Sequence, residues 1–520
     1  MDKPIKKIVI VGGGSAGWIS AGVLAAEHMA NSPKGIEVTL IESPMVKSIG
    51  VGEGTWPSMR NTLNKIGISE LEFISQCDAS FKQGSKFVGW CDGQSDDFYY
   101  HPFMTPEGYT QVNLHAGWQS VNKNTNYADT VNMQSHVCQA GLAPKQLATP
   151  QYAAVTNYGY HLDAAKFASL LQKHCTTKLN VNHILDHVVA INSAENGDIA
   201  SISTKQSGDI SGDLFIDCTG TSSLLLGKHY NIPFIDCKDV LFNDSALAVQ
   251  IPYSDDSDSI ASATISTAQT AGWIWDIGLP TRRGVGHTYS SAHMNDDEAE
   301  RILREYIATT ANTDISQSIE PRKISFRPGH YQKFWHKNCV AIGMSSGFLE
   351  PLEASALALI ELATTMISEQ LPTNRAHMEI VAKRYNERFD YRWQRVIEFL
   401  KLHYVLSRRN DSQYWRDNKS ANTIPSRLHE LLTLWQHQPP SRYDFVQNEE
   451  VFPSASYQYV LYGMGFNTKL RDTENRYANI DVAKKIFNDG ELKLHKYLAG
   501  LPTNRDLINH LCQQHETNQR

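Results

Sequence analysis

The opening of the chain, KKIVIVGGGSAGWISAGVLAAEHMANSPKGIEVTLIE, limits the fold more than any other stretch. IKKIVIV is apolar enough for a strand buried on both faces of a parallel sheet. GGGSAG turns the chain, WISAGVLAAEHMA reads as a helix, NSPKG breaks it, and IEVTLIE returns as a strand. This is a βαβ unit with Gly12-x-Gly14-x-x-Gly17 at its turn. The first glycine permits the tight turn. The second lets a pyrophosphate approach the backbone, and the third lets helix and strand pack closely. The helix N-terminus then faces the phosphates. Glu42 ends the second strand, where a carboxylate can bind ribose hydroxyls. It lies somewhat beyond the spacing of roughly 20 residues usual for that acid, and the MANSPKG segment accounts for the excess. GVG at 284–286 and GMG at 463–465 lack both the third glycine and the βα context, so one dinucleotide is expected, NAD or FAD.

At 520 residues the chain can build a large core and two domains. A net charge of -7 without a basic stripe argues against nucleic acid. The eight cysteines form no CxxC pair, so neither a disulfide framework nor a metal site is expected. The apolar N-terminal run is too short for a signal peptide. Other apolar runs stop short of a membrane span. A soluble, cytoplasmic protein without a membrane partner is the expectation.

The later strand–glycine segments GDLFIDCTG and NCVAIGMSSGFLEPLEAS resemble those with which flavoproteins of the glutathione-reductase type return to the cofactor, and that resemblance implies FAD and a module of that type. Further along, Ser69 and Glu72 have capping-box spacing. HLDAAKFASLLQKHC reads as a helix with Asp163 as N-cap. VVAINS and DIASISTKQ alternate as a hairpin should. LPTNR at 371–375 is the best boundary, dividing a flavin-binding and catalytic module, 1–370, from a mainly helical, substrate-covering region, 371–520. Tyr385, Phe389, Trp393, Val396, Ile397, Leu400 and Tyr404 recur there at helical spacing. LPTNR recurs at 501–505, and we read both copies as helix-start punctuation rather than a repeat. In GWIWDIGLP, Trp273, Trp275 and Ile277 alternate, so a strand would put them on one face. Spacing alone leaves open whether that face is core or the wall of a reaction chamber. The fold class expected is α/β: a doubly wound βαβ flavin module with an additional antiparallel sheet and a mainly helical C-terminal region.

The pieces VGGGSAGW, IGVGEGTWP, FKQGSKFVGW, YGYHLDAAKF, LFIDCTG, GWIWDIGLP, CVAIGMSSGFLEPLE and FLKLHYVLSRR together resemble the flavin-dependent tryptophan halogenases. They are distributed over the chain to about residue 465. In that family FADH2, O2 and chloride or bromide yield hypohalous acid, which halogenates an electron-rich arene. The resemblance implies FADH2 from a separate flavin reductase, a small aromatic substrate, and a homodimer as one open oligomeric state.

Residue by residue, Lys82 matches the family's essential lysine, which polarises the hypohalous acid or holds the halogen as a haloamine. The plainer reading of Lys82 is a solvated lysine on a helix face, a face that Lys86, four residues on and its local rival, would share. Glu353 matches the glutamate that orients the acid or takes the arene proton, with Glu350 read as structural. Backbone N–H groups of Ser355 and Ala356, where the family commonly has Thr-Gly, would hold halide at a helix start. Gly52, Glu53, Gly54 and Thr55 belong to a strap linking flavin and substrate sites. Ala16, Val188, Met344 and Leu357 are further flavin contacts by position. Trp273 and Trp275 answer to the W-x-W-x-I-P motif on the flavin side of the wall, with Gly278 in the proline's place and Pro280 two residues later. Free-tryptophan members clamp the amino acid with a tyrosine pair and a glutamate. Here that stretch offers Tyr443, Glu449, Glu450 and Phe452, which leaves tryptophan, indole and larger or tethered arenes open. Two rivals remain at this level: an aromatic monooxygenase on the same fold, and a flavin-binding protein without turnover.

Overall fold

The computed structural model describes residues 4–45, 52–122, 125–470 and 479–519. The first three residues of IGVGEGTWP, Ile49 to Val51, lie outside them.

Two compact units are present, each drawn from three separated segments. The first comprises Met1–Ala79, Leu162–Cys237 and Arg327–Gln394. Its six-stranded sheet runs Trp335–His336, Cys339–Ala341, Leu214–Asp217, Lys7–Val11, Glu37–Glu42, Asn182–Leu185. Neighbours are parallel except the first pair, which is antiparallel. Ile8 to Val11 and Leu214 to Asp217 are buried throughout, as a sheet covered on both faces requires. The helix Ser15–Glu27 is buried from Gly17 to Ala25, packed against the helices Ala164–Lys178 and Ser355–Glu369. The expected hairpin forms, with Val188–Ser193 antiparallel to Ile199–Thr204. Asp163 caps the helix Ala164–Lys178 by accepting from the N–H groups of Ala165 and Lys166. Ser69 accepts from the N–H of Glu72 at the head of Glu70–Gln76.

The second unit comprises Ser80–His161, Lys238–Phe326 and Arg395–Arg520. Its seven-stranded sheet runs Arg322–Ser325, Ser245–Pro252, Arg282–Tyr289, Gly272–Gly278, Thr264–Gln269, Gly84–Val88, Phe98–Pro102. Every pairing is antiparallel except that of Thr264–Gln269 with Gly84–Val88. The C-terminal segment adds the helices Ser426–Trp435, Ser454–Gly463, Ile480–Gly500 and Asn504–Gln519.

The α/β class, the extra antiparallel sheet and the helical C-terminal region are therefore present. The division differs from the expected one at 371. Strands of both sheets alternate along the chain, and the division between units falls not at LPTNR but inside the helix Arg375–Leu406 that starts there, after Gln394. Among the described residues no helix is long and apolar enough to cross a membrane.

Candidate active site

In the first unit three turns gather at the C-terminal ends of adjacent strands, where open α/β sheets bind ligands. The glycine loop follows Lys7–Val11. Gly12 has φ 116°, and a Cβ there would lie 2.1 Å from the Cys218 carbonyl oxygen. A Cβ on Gly17 would meet the Gly12 carbonyl oxygen at 1.9 Å, whereas one on Gly14 meets nothing within 4 Å among the described residues. The three glycines thus occupy a tight turn, an open cradle at a helix N-terminus, and a close backbone contact. That combination fits a dinucleotide pyrophosphate. Glu42 lies over the loop: a Cβ on Gly13 would fall 2.1 Å from its Cδ. Its Oε2 is 3.1 Å from His183 Nε2.

The second turn, DCTG, is organised by the buried Asp217. One carboxylate oxygen accepts from the N–H and hydroxyl of Thr219, the other from the N–H groups of Leu225 and Leu226. The third turn holds Met344, in Gly343–Ser345, and it bonds to the second through Ser345 Oγ and the Gly220 carbonyl at 3.2 Å. Gly343 leaves only 3.0 Å between a would-be Cβ and that of Ala16, so the positions of Ala16 and Met344 are close. Val188 packs against the core that includes Val11 and Ile41. Leu357 is buried in the helix Ser355–Glu369.

Gly52–Gly54 is a short strand, and burial pushes the Glu53 carboxyl up to about 7. The segment that follows is tied to Glu353 and its helix. Trp56 Nε1 donates to the Glu353 carbonyl at 2.8 Å. Ser58 and Thr62 donate to the buried Glu361 carboxylate at 3.0 and 2.5 Å. Glu353 is buried, with φ 63° and ψ 7°, and Ala354 follows at φ 53° and ψ 45°. These two left-handed residues aim the chain into Ser355–Glu369, whose N-terminus has no side-chain cap. An uncapped first turn leaves donors suited to an anion.

In the second unit FKQGSKF is not a solvated helix face, the plainer alternative for Lys82. It is two strands, Ser80–Lys82 and Gly84–Val88, jointed at Gly84 with φ 153°. Lys82 is 1 % exposed, and its Nζ lies 5.5 Å from the centroid of Phe103. Ser80–Lys82 pairs antiparallel with Gly159–Asp163, placing Ser80 opposite His161 and Lys82 opposite Gly159. His161 therefore shares a strand face with Lys82. It is buried, bonded through Nε2 to Thr264 Oγ1 at 2.8 Å, and burial together with the charge of Lys82 holds it well below the usual histidine range. Lys86 sits among aromatics, 4.6 Å from the Phe98 centroid, and burial lowers its pKa. Gln83 is locked in a buried amide network. It donates to the Leu142 carbonyl at 2.7 Å and accepts from Thr156 Oγ1 at 2.6 Å and Gln134 Nε2 at 3.3 Å.

All seven residues of Gly272–Gly278 are buried. Trp273 and Trp275 meet edge to face at 6.3 Å, and Trp273 reaches Trp90 at 6.3 Å. Trp275 lies across from Gly286, where a Cβ would fall 2.1 Å from its ring. GVG at 284–286 is thus a strand that makes room for an indole. In the stretch considered for an amino-acid clamp, Tyr443 is 81 % exposed, while Phe452 is buried and stacked on Phe399 at 3.8 Å.

Sequence reasoning did not single out Trp56, Phe103, His161 or Gln83. Strand alternation through YGYHLD would have put His161 on a definite face. The remaining three depend on contacts distant in sequence.

The Tryptophan halogenase family model matches residues 7–478. A tryptophan 6-halogenase of Streptomyces toxytricini is 33 % identical over 480 residues, covering 88 % of this chain and 89 % of that protein. A tryptophan 7-halogenase of Lentzea aerocolonigenes is 32 % identical, over 81 % of this chain and 80 % of the relative. Among solved structures, a tryptophan halogenase of Shewanella frigidimarina NCIMB 400 superposes with TM-score 0.95 at 53 % identity, covering 98 % of each chain. On the family match and these identities, this protein belongs to the flavin-dependent tryptophan halogenase family.

Proposed function

We propose that this chain uses FADH2, from a separate flavin reductase, to halogenate an electron-rich arene of the indole or tryptophan type, in the cytoplasm. The reduced flavin, when bound, supplies the two electrons with which O2 and chloride or bromide become hypohalous acid. Gly12, Gly14 and Gly17 hold its pyrophosphate and Glu42 its ribose. Ala16, Gly52, Glu53, Gly54, Thr55, Val188, Met344 and Leu357 line the rest of its site. Backbone N–H groups of Ser355 and Ala356 hold the halide at the uncapped helix start. Lys82 hydrogen-bonds the hypohalous acid and polarises its oxygen–halogen bond. The arene carbon takes the halogen, the oxygen leaves as water or hydroxide, and Glu353 accepts the proton lost from the ring. Trp273 and Trp275 form the wall that keeps arene from flavin, and the helices after residue 371 cover the substrate.

The observation that carries this reading is the burial of Lys82. Lysine is almost never fully buried unless paired, so the fold holds this ammonium inside the protein, on a strand beside the Phe103 ring, and not in solvent. The test is mass spectrometry of products from protein, FAD, reductase, NADH, O2 and halide with indole, tryptophan and larger arenes. Halogenated product from wild type, lowered at least ~100-fold in Lys82→Ala, is the expected result. Hydroxylated product, or halogenation indifferent to the lysine, overturns it.

A further inference from the structure

The second LPTNR does more than start a helix. Thr503 Oγ1 accepts from the Asp506 N–H at 3.1 Å and caps Asn504–Gln519, so the Asn504 side chain is not needed as a cap. It is 0 % exposed, and its Nδ2 donates to the Phe81 carbonyl at 3.0 Å and the Ala261 carbonyl at 3.4 Å. Phe81 is the residue before Lys82. Arg505, 7 % exposed, donates through Nη1 to the Pro280 carbonyl at 2.6 Å and through Nε to the Asp258 carbonyl at 2.8 Å. Its guanidinium lies 4.8 Å from the Tyr253 centroid. Pro280 closes the turn after Trp273 and Trp275. The pentapeptide is held in place by its own backbone, through Ala143 N–H to the Pro502 carbonyl and Asn504 N–H to the Gly141 carbonyl, both 2.9 Å.

The same two regions are joined directly. Ser80 Oγ donates to the Gly278 carbonyl at 2.5 Å, and Gln83 N–H to the Ser262 carbonyl at 2.7 Å. Gly278 is packed tightly, with a would-be Cβ 3.0 Å from Ile260 and 3.2 Å from Tyr253 Oη. The turn therefore lacks a proline's rigidity at 278, and side-chain donors fix its carbonyls instead.

We propose that Asn504 and Arg505 are positioning residues for the halogenation chemistry, clamping the strand that carries Lys82 to the turn that ends the Trp273–Trp275 strand. The proposal rests on the role given to Lys82 above. The physical reason is the brevity of the strand: Ser80–Lys82 has only three residues, so its ladder alone resists displacement weakly. Removing the Asn504 amide leaves a buried carbonyl without its donor. A lysine that must meet a reactive oxygen–halogen bond tolerates little displacement.

The test uses the full-length protein with Asn504→Ala, Arg505→Lys and Arg505→Ala. Trace acetylation with acetic anhydride, read by peptide mass spectrometry, reports the protection of Lys82. Lys401, 0 % exposed and bonded to Asn418 Oδ1 at 2.9 Å, is the internal standard. Asn504→Ala is expected to raise Lys82 acetylation about fivefold or more by local opening while Lys401 stays protected. Product per FADH2 consumed should fall about tenfold at unchanged arene KM, with more hypohalous acid captured by a thiol trap. Arg505→Lys, which keeps a donor, should recover most of what Arg505→Ala loses. Unchanged Lys82 labelling, or Lys82 and Lys401 labelling that rises together, overturns the clamp. So does loss of product and trapped acid in parallel. A wild type that makes no halogenated product overturns the proposed function, and the labelling still decides the clamp.

Discussion

Glu353 and Ala354 are consecutive non-glycine residues at φ 63° and 53°. A left-handed conformation costs an L-residue roughly 1–2 kcal/mol, and such strain persists where surrounding groups over-determine it. The Trp56 indole, bonded to the Glu353 carbonyl, is one such group. Trp56→Phe keeps an aromatic ring, smaller than the indole, and removes the donor. Loss of one buried hydrogen bond, worth about 1–2 kcal/mol, should lower kcat roughly 5- to 30-fold. FAD affinity should hold within about twofold, since the glycine cradle is untouched. Steady-state kinetics with a parallel FAD titration checks this, and an equal fall in both would make Trp56 a cofactor contact instead. Glu361, on the helix that follows, is a second test. Burial raises its carboxyl from 4.5 to about 7, against the lowering effect of the Thr62 and Ser58 bonds. Between those pH values the folded protein holds a proton that the unfolded chain has released. Stability from this group is therefore full at low pH and is lost as pH rises through 7. Glu361→Gln should flatten that dependence and stabilise the fold at pH 8 by at most about 3 kcal/mol. Denaturant unfolding at pH 5 and pH 8 reads it, and a variant with the wild-type slope would remove Glu361 as the cause.

At the scale of elements, the βαβ opening separates two kinds of glycine. Gly12→Ala forces a Cβ against the Cys218 carbonyl at 2.1 Å in a backbone with φ 116°. It should destabilise the protein by about 3 kcal/mol or more. Gly14→Ala fills open space at an ordinary φ of -79°. It should leave the melting temperature nearly unchanged while FAD affinity drops about tenfold or more. Thermal melts beside flavin titration distinguish them, and a Gly14 variant that binds FAD normally would argue against the cradle. These elements were legible because their signals are local. Buried parallel strands are unbroken apolar runs, and Asp163 caps the helix that starts at the next residue. The four-residue spacing in FKQGSKF suits both a helix face and alternate strand positions, and the long-range pairing of its two strands decides between them. The Trp56–Glu353 bond, the Gly286–Trp275 fit and the Asn504–Phe81 bond join residues that no local pattern relates. Lys82 and Glu353 were accessible only through resemblance, since a buried strand lysine has no periodicity of its own.

For the whole molecule the informative fact is how the chain is shared out. The helix Arg375–Leu406 begins in the first unit and ends in the second. In its first part Trp393 stacks on Phe334 and on His330, and Tyr385 meets Trp335. In its last part His403 packs on Phe87, and Tyr404 on Trp90. Arg375 is bonded to Asp198 at 2.7 Å. A cut at residue 370 therefore removes no accessory lid. It strips aromatic surface from the core of each unit, where a buried aromatic is worth about 3–5 kcal/mol on truncation, against a net stability of only about 5–15 kcal/mol. The fragment 1–370 carries every glycine of the cofactor loop, together with Lys82 and Glu353, and would suffice if the helical region only covered substrate. It should instead be recovered aggregated or protease-sensitive and without flavin binding, as limited proteolysis and near-ultraviolet circular dichroism would show. A soluble fragment that binds FAD with a cooperative melt would mean that 371 is a genuine domain boundary and that the shared helix contributes little to either core.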